Sequence, residues 1–463
     1  MKKNSNIGVY ILADYIAVFL FWFACYYINI AFFLVNDYRV ILTGRFTIFS
    51  YFTIPLLFVL ISAIAGTYQQ IPAKKSRAEE LIFTWTECLI TSILLYFPVL
   101  EPSNLNYKIG LLVFVFFFLF LGILVSIFRM IYLTFTKKIF KNYNVFYPTI
   151  VIGNSEITNI IGAEINRNTI RNGYKYIGFI SLDNEINSSS LGSIDQLSNI
   201  IRQNKVQQMI LADEIYKKEE ACLQLIANIS ELELEIRKVP DDVDFIGSNM
   251  TSSDILGIPL VKIETHVMPQ WQRNIKRILD VLFSFIGMIL LSPLIIFTYL
   301  KTKISSNGNV FYHQERVGKN GKIFKIIKFR SMYIDAEKEG PQLSFENDKR
   351  ITPWGKVMRK WRLDELPQLY NILIGDMSFV GPRPERPFFA ELINKEVAYY
   401  KYIWRIKPGL TSWGMVQFGY ASNLQQMKAR LKYDMVYLKS ASLLIDLKIT
   451  IYTIRILFLG KGK

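Results

Sequence analysis

Cysteine and histidine are scarce in this chain. Three cysteines (Cys25, Cys88, Cys222) and two histidines (His266, His313) are scattered through 463 residues, with no CxxC spacing. A disulfide framework or a thiolate or imidazole zinc site is thereby excluded. The glycine signature of dinucleotide binding is missing as well. Where GxGxxG would follow a strand, the sequence is Gly153-Asn154-Ser155-Glu156-Ile157-Thr158, so the second and third glycines are absent. Basic excess is lacking over the first 265 residues, which hold 22 Lys/Arg against 23 Asp/Glu, whereas residues 266 to 463 hold 32 against 15. The net charge of +16 therefore resides in the C-terminal part, which should meet something anionic.

Apolar residues are abundant. They make up 51% of the chain, with 14% aromatic and a mean hydropathy of +0.24, too apolar for a wholly soluble protein. The length suggests about three units. Four apolar runs, at residues 9 to 35, 46 to 66, 81 to 100 and 109 to 135, each approach the length needed to cross a bilayer. They predict a four-helix transmembrane domain over residues 1–140. Lys2 and Lys3 precede a run far longer than a signal h-region, which predicts a retained first span. Lys74, Lys75 and Arg77 follow the second run and Lys137, Lys138 and Lys141 the fourth, while the other loops carry only Arg39, Arg45 and Lys108. The positive-inside preference then puts both termini in the cytoplasm. Asp14 and Glu87 within these runs mark either a pathway or polar helix packing.

Residues 148–265 alternate strand and helix patterns (PTIVIGNSEITNIIGAEINRN, YKYIGFISLDN, QQMILADEI), which predicts a Rossmann-like, CoA-binding-like α/β domain. With 10 Lys/Arg against 17 Asp/Glu it would not attract phosphate, and a structural or regulatory role fits better. Its Asp242-Val243-Asp244 has the DxD spacing of metal-bound sugar nucleotide sites, but short acidic loops match that pattern by chance.

A fifth apolar run, VLFSFIGMILLSPLIIFTYL at 281 to 300, is long enough to span. Basic residues flank both ends: Arg273, Lys276 and Arg277 before it, Lys301 and Lys303 after it. Pro293 within it removes a backbone hydrogen bond and clashes with the carbonyl of Ile289, and Ser292 can satisfy a freed carbonyl. The combination predicts a re-entrant hairpin over 275–300, with its break at Ser292-Pro293, inside a C-terminal α+β monotopic domain at 270–463. A kinked spanning helix is the alternative. Beyond it, 310 to 332 reads as strand, glycine turn, strand, and helical patterns cover 354 to 362, 364 to 374, 386 to 401 and 424 to 439. The segment 443 to 460 is apolar enough to lie against a membrane.

Asp364 and Glu365, in WRLDELPQLYNIL, directly follow a basic run. Pro367 three residues on suits a helix's first turn, so Asp364 is expected to be the N-cap. The helix dipole with Lys356, Arg359, Lys360 and Arg362 should lower both carboxylate pKa values and keep Asp364 ionised. Spacing alone equally allows a capping aspartate beside a solvated glutamate.

WRLDELPQLYNILIGDMSFVGPRPERP (361 to 387) resembles the bacterial sugar transferase family, the monotopic phosphoglycosyl transferases. The likeness extends, in order, through KRILDVLFSFIGMILLSP, QERVGKNGKIFKIIKFRSM, KPGLTSWGMVQFGY and LKYDMVYLKSASLLIDLKI, nearly all of 270 to 460. Four spans and a central Rossmann-like domain resemble the large polyprenyl-phosphate hexose-1-phosphate transferase subclass, which primes exopolysaccharide, capsule or O-antigen synthesis. Arg362 stands where many members carry a small hydroxyl residue, and TSWGMVQF replaces a commoner TGWAQV pattern. The resemblance implies transfer of a sugar 1-phosphate from a UDP-sugar to undecaprenyl phosphate, with UMP released. In it Asp364 is the nucleophile and Mg²⁺ ligand, Glu365 positions or deprotonates the acceptor, and Mg²⁺ is the cofactor. Arg316, Lys328, Arg330, Arg383 and Arg386 are the candidate phosphate-binding cations. The partners implied are the UDP-sugar, the polyprenyl phosphate and the lipid bilayer of the bacterial inner membrane, with the catalytic domain cytoplasmic. Nucleic acid is disfavoured because the charge is interleaved with membrane-seeking segments; a homo-oligomer is allowed. Two rival readings stand beside this one: a membrane glycosyltransferase that moves only the sugar, and a non-catalytic lipid-binding scaffold.

Overall fold

The computed structural model describes residues 5–36, 44–69, 75–100, 107–142, 146–153, 155–167, 174–181, 190–193, 196–212, 234–240, 252–254, 259–263, 267–336, 340, 342, 348–397, 399–419 and 421–458. The Asp242-Val243-Asp244 motif, Cys222 and His266 lie outside them. The chain forms two compact units, Met1–Val145 and Phe146–Lys463.

The first unit is four helices: α1 (Ser5–Asn36), α2 (Gly44–Ala65), α3 (Arg77–Leu100) and α4 (Tyr107–Asn142). Ala17, Val18, Phe21, Phe58, Cys88, Leu121 and Val125 form their shared core, while Leu56, Ile82, Leu112 and Ile131 face outward. Apolar residues on both sides are what a lipid environment permits. Segments of α1, α2 and α4 (Ile7–Tyr27, Ile48–Ala65, Phe114–Ile139) are long and apolar enough to cross a membrane, and the chain is a membrane protein. Two carboxylates of α3, Glu80 and Glu87, are turned inward, while Arg77 and Glu79 are exposed. Arg129 on α4 is fully buried and binds Asp14 with two nitrogens, at 2.9 and 2.8 Å, and Glu87 at 2.7 Å. Its other nitrogen reaches Thr84 at 2.9 Å and Glu80 at 3.5 Å. Lys75 pairs with Glu80 at 2.7 Å, and the hydroxyls of Tyr68 and Ser62 donate to Asp14 and Glu87, each at 2.7 Å. Asp14 and Glu87 are thus polar packing centred on Arg129, a residue that sequence reading passed over inside the fourth run.

The second unit opens with a seven-stranded sheet in the order β3-β2-β1-β4-β5-β7-β6. Strands β1 (Tyr147–Ile152), β2 (Tyr174–Ser181), β3 (Ser190–Ser193), β4 (Gln208–Leu211) and β5 (Glu235–Lys238) are parallel. Strand β7 (Pro259–Ile263) runs antiparallel to β5 and to β6 (Ser252–Asp254). The parallel part has the order of a Rossmann-like half, and its central strands β1 and β4 are the most completely buried. Helices α5 (Ser155–Arg167) and α6 (Leu197–Gln203) pack against it, Leu197, Ile200 and Ile201 joining Ile150, Ile152, Met209 and Ile236.

Next come α7 (Gln270–Leu290) and α8 (Ser292–Ser305), whose directions differ by 63°. The bend has the cause expected from sequence. Pro293 sits in the first turn of α8, and the Ser292 hydroxyl donates to the Ile289 carbonyl at 2.7 Å. Leu282, Phe283, Phe285, Ile289, Leu290, Ile296, Phe297 and Ile304 are exposed along the two arms. The hairpin β8 (Phe311–Val317) and β9 (Ile323–Phe329) follows, turned by Asn320 and Gly321 at φ +58° and +71°. Then come α9 (Pro353–Lys360), α10 (Gln368–Ile374), the short parallel pair β10 (Ser378–Val380) and β11 (Gly409–Thr411), and α11 (Pro387–Glu396). Helices α12 (Trp413–Gln417), α13 (Leu424–Ser440) and α14 (Leu443–Phe458) complete the chain. The segment expected as one helix over 364 to 374 is shorter, and that over 386 to 401 ends at Glu396, where Val397 turns extended.

Candidate functional site

The acidic pair lies in a turn held from three sides. Helix α9 ends at Lys360, and Arg362 then adopts a left-handed backbone, φ +54°, which breaks helical continuity and throws the chain into a 3₁₀ turn, Leu363–Glu365. Pro367 is the N-cap of α10. Asp364 is therefore not the helix N-cap expected from sequence. The left-handed residue intervenes two positions earlier, a feature that local pattern does not reveal because Arg rarely occupies it.

Helix α10 is fixed by side chains that replace missing strand and helix partners. Asn371 accepts from the Ile327 N–H at 3.0 Å and donates to the Lys325 carbonyl at 2.9 Å, pairing the edge of β9 as a third strand would. Arg277 of α7 donates to the carbonyls of Ile372 and Leu373, at 2.7 and 2.8 Å, satisfying the helix C-terminus, where Gly375 is left-handed. Asp280, one turn further along α7, accepts from the Ser378 hydroxyl and the Phe379 N–H, both at 3.1 Å. Helix α9 is tied to the other end of β9: Thr352 caps it, accepting from the Gly355 N–H at 2.9 Å, and Arg359 donates to Ser331 at 2.9 Å. A side chain at Gly355 would meet the Ser331 carbonyl, so glycine is required there.

Asp364 is buried, at 7% exposure. Glu365 accepts from Lys328 at 3.0 Å and from Arg362 at 3.2 Å. Burial opposes ionisation of Glu365, yet Lys328, Arg362 and Arg383 outweigh it and hold its carboxyl down at about 2. At Asp364, burial first and the negative charge of Glu365 second raise the carboxyl above the ordinary aspartate range, with Lys328 and Arg359 pulling back. The expected lowering of both values is therefore right for Glu365 and wrong for Asp364, because the cations pair with the glutamate. Two adjacent carboxylates with values pushed apart are the arrangement from which two roles arise.

The structure brings Lys328 to the pair and sets Arg383 within electrostatic reach of Glu365. Arg316 and Arg386 gather instead with Arg383 and Glu385. Arg316 donates to the Pro384 carbonyl at 2.9 Å and to Gln314 at 2.6 Å, and burial, with Arg383 and Arg386 adding to it, pushes its value down to about 10. Arg386 precedes α11, its guanidinium 6.0 Å from the Phe389 ring. Arg330 is turned elsewhere: it donates to the carbonyl and hydroxyl of Ser306, at 2.6 and 3.0 Å, fastening the end of α8 to β9. Gln368, at 2% exposure, is a nearby buried donor whose Nε2 has no hydrogen-bond partner among the described residues.

No group of three or more metal-binding side chains occurs among the described residues. Two hard carboxylates in one turn nevertheless suit Mg²⁺, which takes one or two protein carboxylates and completes its shell from substrate phosphates and water. Arg362, which departs from the family pattern, proves to be both the left-handed residue and a partner of Glu365.

Residues 271–460 match the family described as bacterial sugar transferase, and residues 63–240 match a CoA-binding domain. The chain is 42% identical over 188 residues to the UDP-N-acetylgalactosamine-undecaprenyl-phosphate N-acetylgalactosaminephosphotransferase of Aeromonas hydrophila, covering 41% of this chain and 44% of the relative. It is 30% identical over 275 residues to the UDP-glucose:undecaprenyl-phosphate glucose-1-phosphate transferase of Klebsiella pneumoniae, covering 58% of each. It is 37% identical over 202 residues to the exopolysaccharide production protein ExoY of Sinorhizobium fredii, covering 40% of this chain and 87% of the relative. The matches thus span about half the length of the first two relatives and most of the third. With its C-terminal part matched throughout and most of the Sinorhizobium protein covered, the chain belongs to the bacterial sugar transferase family.

Proposed function

We propose that this protein transfers a sugar 1-phosphate from a UDP-sugar to undecaprenyl phosphate, the first membrane step in assembling an exopolysaccharide, capsule or O-antigen. The single observation that carries the reading is the divided acidic pair: a buried aspartate with no ion pair among the described residues, beside a glutamate held ionised by Lys328 and Arg362. Relatives with matching C-terminal parts are named for this transfer.

In the first step a carboxylate oxygen of Asp364 attacks the sugar-linked phosphorus of the donor. A bond forms between that oxygen and phosphorus, the bond from the same phosphorus to the bridging oxygen breaks, and UMP leaves with the electron pair. An oxygen of the polyprenyl phosphate then attacks the phosphorus, the aspartyl bond breaks, and Asp364 returns as a carboxylate while polyprenyl diphosphate sugar departs. Covalent catalysis of this kind divides one difficult transfer into two displacements. An aspartate raised above its ordinary range is the better nucleophile of the two carboxyls, provided the pH keeps it ionised. Glu365, paired with Lys328 and Arg362, would hold both cations in place and position the acceptor. Lys328 and Arg383 supply positive charge toward the transferring phosphoryl group. Mg²⁺ would be held by Asp364 and the donor diphosphate, supplying charge neutralisation between two anions.

The bent pair α7 and α8 would enter one leaflet and return, keeping the site on the cytoplasmic face of the inner membrane. Its support is the basic flanks, the 63° bend and the exposed apolar arms. The decisive assay supplies UDP-sugars and undecaprenyl phosphate and identifies the nucleotide released. UMP supports the proposal, and UDP would replace it with simple glycosyl transfer.

A further inference from the structure

The loop that carries Arg383 is fastened to helix α13 by two buried charges one helical turn apart. Arg430, at 5% exposure, donates to the Glu385 carboxylate, and Asp434, at 2% exposure, accepts from the main-chain N–H of Arg383. Residues four apart on a helix share a face, so α13 grips the loop at the Arg383 main chain and again two residues beyond it. Asp434 also accepts from the Gly414 N–H at 2.9 Å and from the Ser412 hydroxyl. The same carboxylate therefore joins two separate loops, 381–386 and 411–415. Met415 in the second is 3.3 Å from a terminal nitrogen of Arg383 through its sulfur, and its own N–H donates to Ser412 at 3.0 Å. Space is tight enough to transmit a displacement. A Cβ at Gly414 would lie 2.9 Å from Asp434 and 2.7 Å from Arg430, and one at Gly381 would strike the Lys407 carbonyl. The loop's backbone is held further by the Arg316 guanidinium, which donates to the Pro384 carbonyl at 2.9 Å, by the Val317 N–H to the Glu385 carbonyl and the Gly409 N–H to the Pro382 carbonyl, both at 2.9 Å, and by the Gly381 N–H to the Thr411 carbonyl at 3.1 Å.

We propose that Asp434 is a positioning residue for the transfer, setting the place of the Arg383 guanidinium against the donor diphosphate by clamping both loops to α13. The inference rests on the phosphosugar-transfer reading above. Asp434 touches neither substrate nor the acidic pair, and it acts through Arg383. The groups facing it are Arg430 and Tyr437 of its own helix, Gly414 and Ser412 of the α12 turn, the Arg383 N–H of the loop and Tyr400 of the packed 3₁₀ segment, with Glu385 paired to Arg430. Burial pushes the Asp434 carboxyl up to about 6, against the lowering by the Gly414 N–H, Arg430, Ser412 and the Arg383 N–H. The clamp is thus charged at neutral pH and loses its charge in mildly acidic solution.

The experiment measures donor affinity by calorimetry and UMP release against pH, for the full-length protein, Asp434→Asn and Ser412→Ala. Asp434→Asn weakens donor binding and raises donor KM by about tenfold, the scale of a misplaced charge-assisted hydrogen bond, with kcat changed less, and it removes the acidic limb of donor affinity near pH 6 while leaving the limb of turnover that Asp364 sets. Ser412→Ala deletes one donor to the carboxylate without altering charge, so it moves that limb to higher pH. A merely structural aspartate would change folding without moving the limb in Ser412→Ala. Unaltered donor affinity and pH profile in Asp434→Asn overturn the inference. So does an unfolded Asp434→Asn accompanied by an unshifted limb in Ser412→Ala. Donor binding without UMP release by the unsubstituted protein sinks the transfer reading alone, leaving the affinity arm to judge the clamp, and absence of both binding and release sinks both.

Discussion

Replacing Lys328 by methionine keeps all but one atom of the side chain's length and removes the cation that acts most strongly on both carboxyls. The pair it breaks, Lys328 Nζ to Glu365 Oε1 at 3.0 Å, is largely shielded, with 18% and 12% of the side chains exposed. Three cations together, Lys328 first, outweigh burial and draw Glu365 down to about 2. Lys328 is the foremost of the three, so its loss should forfeit about 1.5 kcal/mol, the range of a charge-assisted hydrogen bond. The same lysine also restrains the rise at Asp364, which in Lys328→Met is therefore protonated to a higher pH. The acidic limb of kcat/KM is expected to move alkaline, with activity at pH 7 down about 10- to 100-fold. Lys328→Arg should retain most of it. UMP release under single-turnover conditions, followed from pH 5 to 9, reads both quantities. A Lys328→Met profile that overlays that of the unsubstituted protein refutes the reasoning, because it would mean that the lysine does not set the ionisation of the pair.

Other outcomes follow from the same geometry. Asp364→Asn should reduce turnover about 10⁴-fold or more yet raise Tm at neutral pH. A carboxyl whose folded value lies above its unfolded one loses stability as pH rises through that range, and asparagine removes the penalty. Glu365 has the opposite sign: its ion pairs stabilise above the ordinary glutamate range and fade as pH falls toward about 2, so Glu365→Gln should flatten the dependence of Tm on pH below about 4.5. Arg129→Leu strands Asp14, Glu80 and Glu87 without their shared partner and should cost about 3–5 kcal/mol, read as thermal unfolding of the detergent-solubilised protein.

The parts of this molecule that could be read from sequence are those written in a local pattern. The apolar runs correspond to α1 to α4, and the Ser292-Pro293 break carries the hydroxyl-to-carbonyl bond that its residue types predict. The strand-turn-strand at 310 to 332 is the β8–β9 hairpin. The alternation after residue 148 became a parallel sheet, because apolar strands separated by helical patterns have few other solutions. What was not legible depends on partners far along the chain. Arg129 is an unremarkable residue in its own run until Asp14, 115 positions earlier, closes on it. Asp364 looked like a helix cap because the left-handed turn at Arg362 has no sequence signature. Its pKa went the other way from expectation because proximity in sequence to basic residues did not say which carboxylate they would bind. Arg330 shares a short motif with Lys328, but β9 ends at Phe329 between them, and the two side chains reach different neighbours, Ser306 and Glu365. Asp434 and Arg430 fall in the helical pattern read over 424 to 439, with neither singled out there. An acidic and a basic residue four apart were the available signal, and surface helices show that spacing too often for it to point inward by itself.

The central claim, that the carboxylate at position 364 captures a sugar phosphate, is tested most directly by mass spectrometry of the purified protein after incubation with a UDP-sugar and no lipid acceptor. The account predicts one sugar-phosphate adduct on the peptide containing Asp364, UMP in equal amount, and discharge on adding undecaprenyl phosphate. UMP release that begins only when the lipid is present, with an unmodified Asp364 peptide throughout, would contradict it.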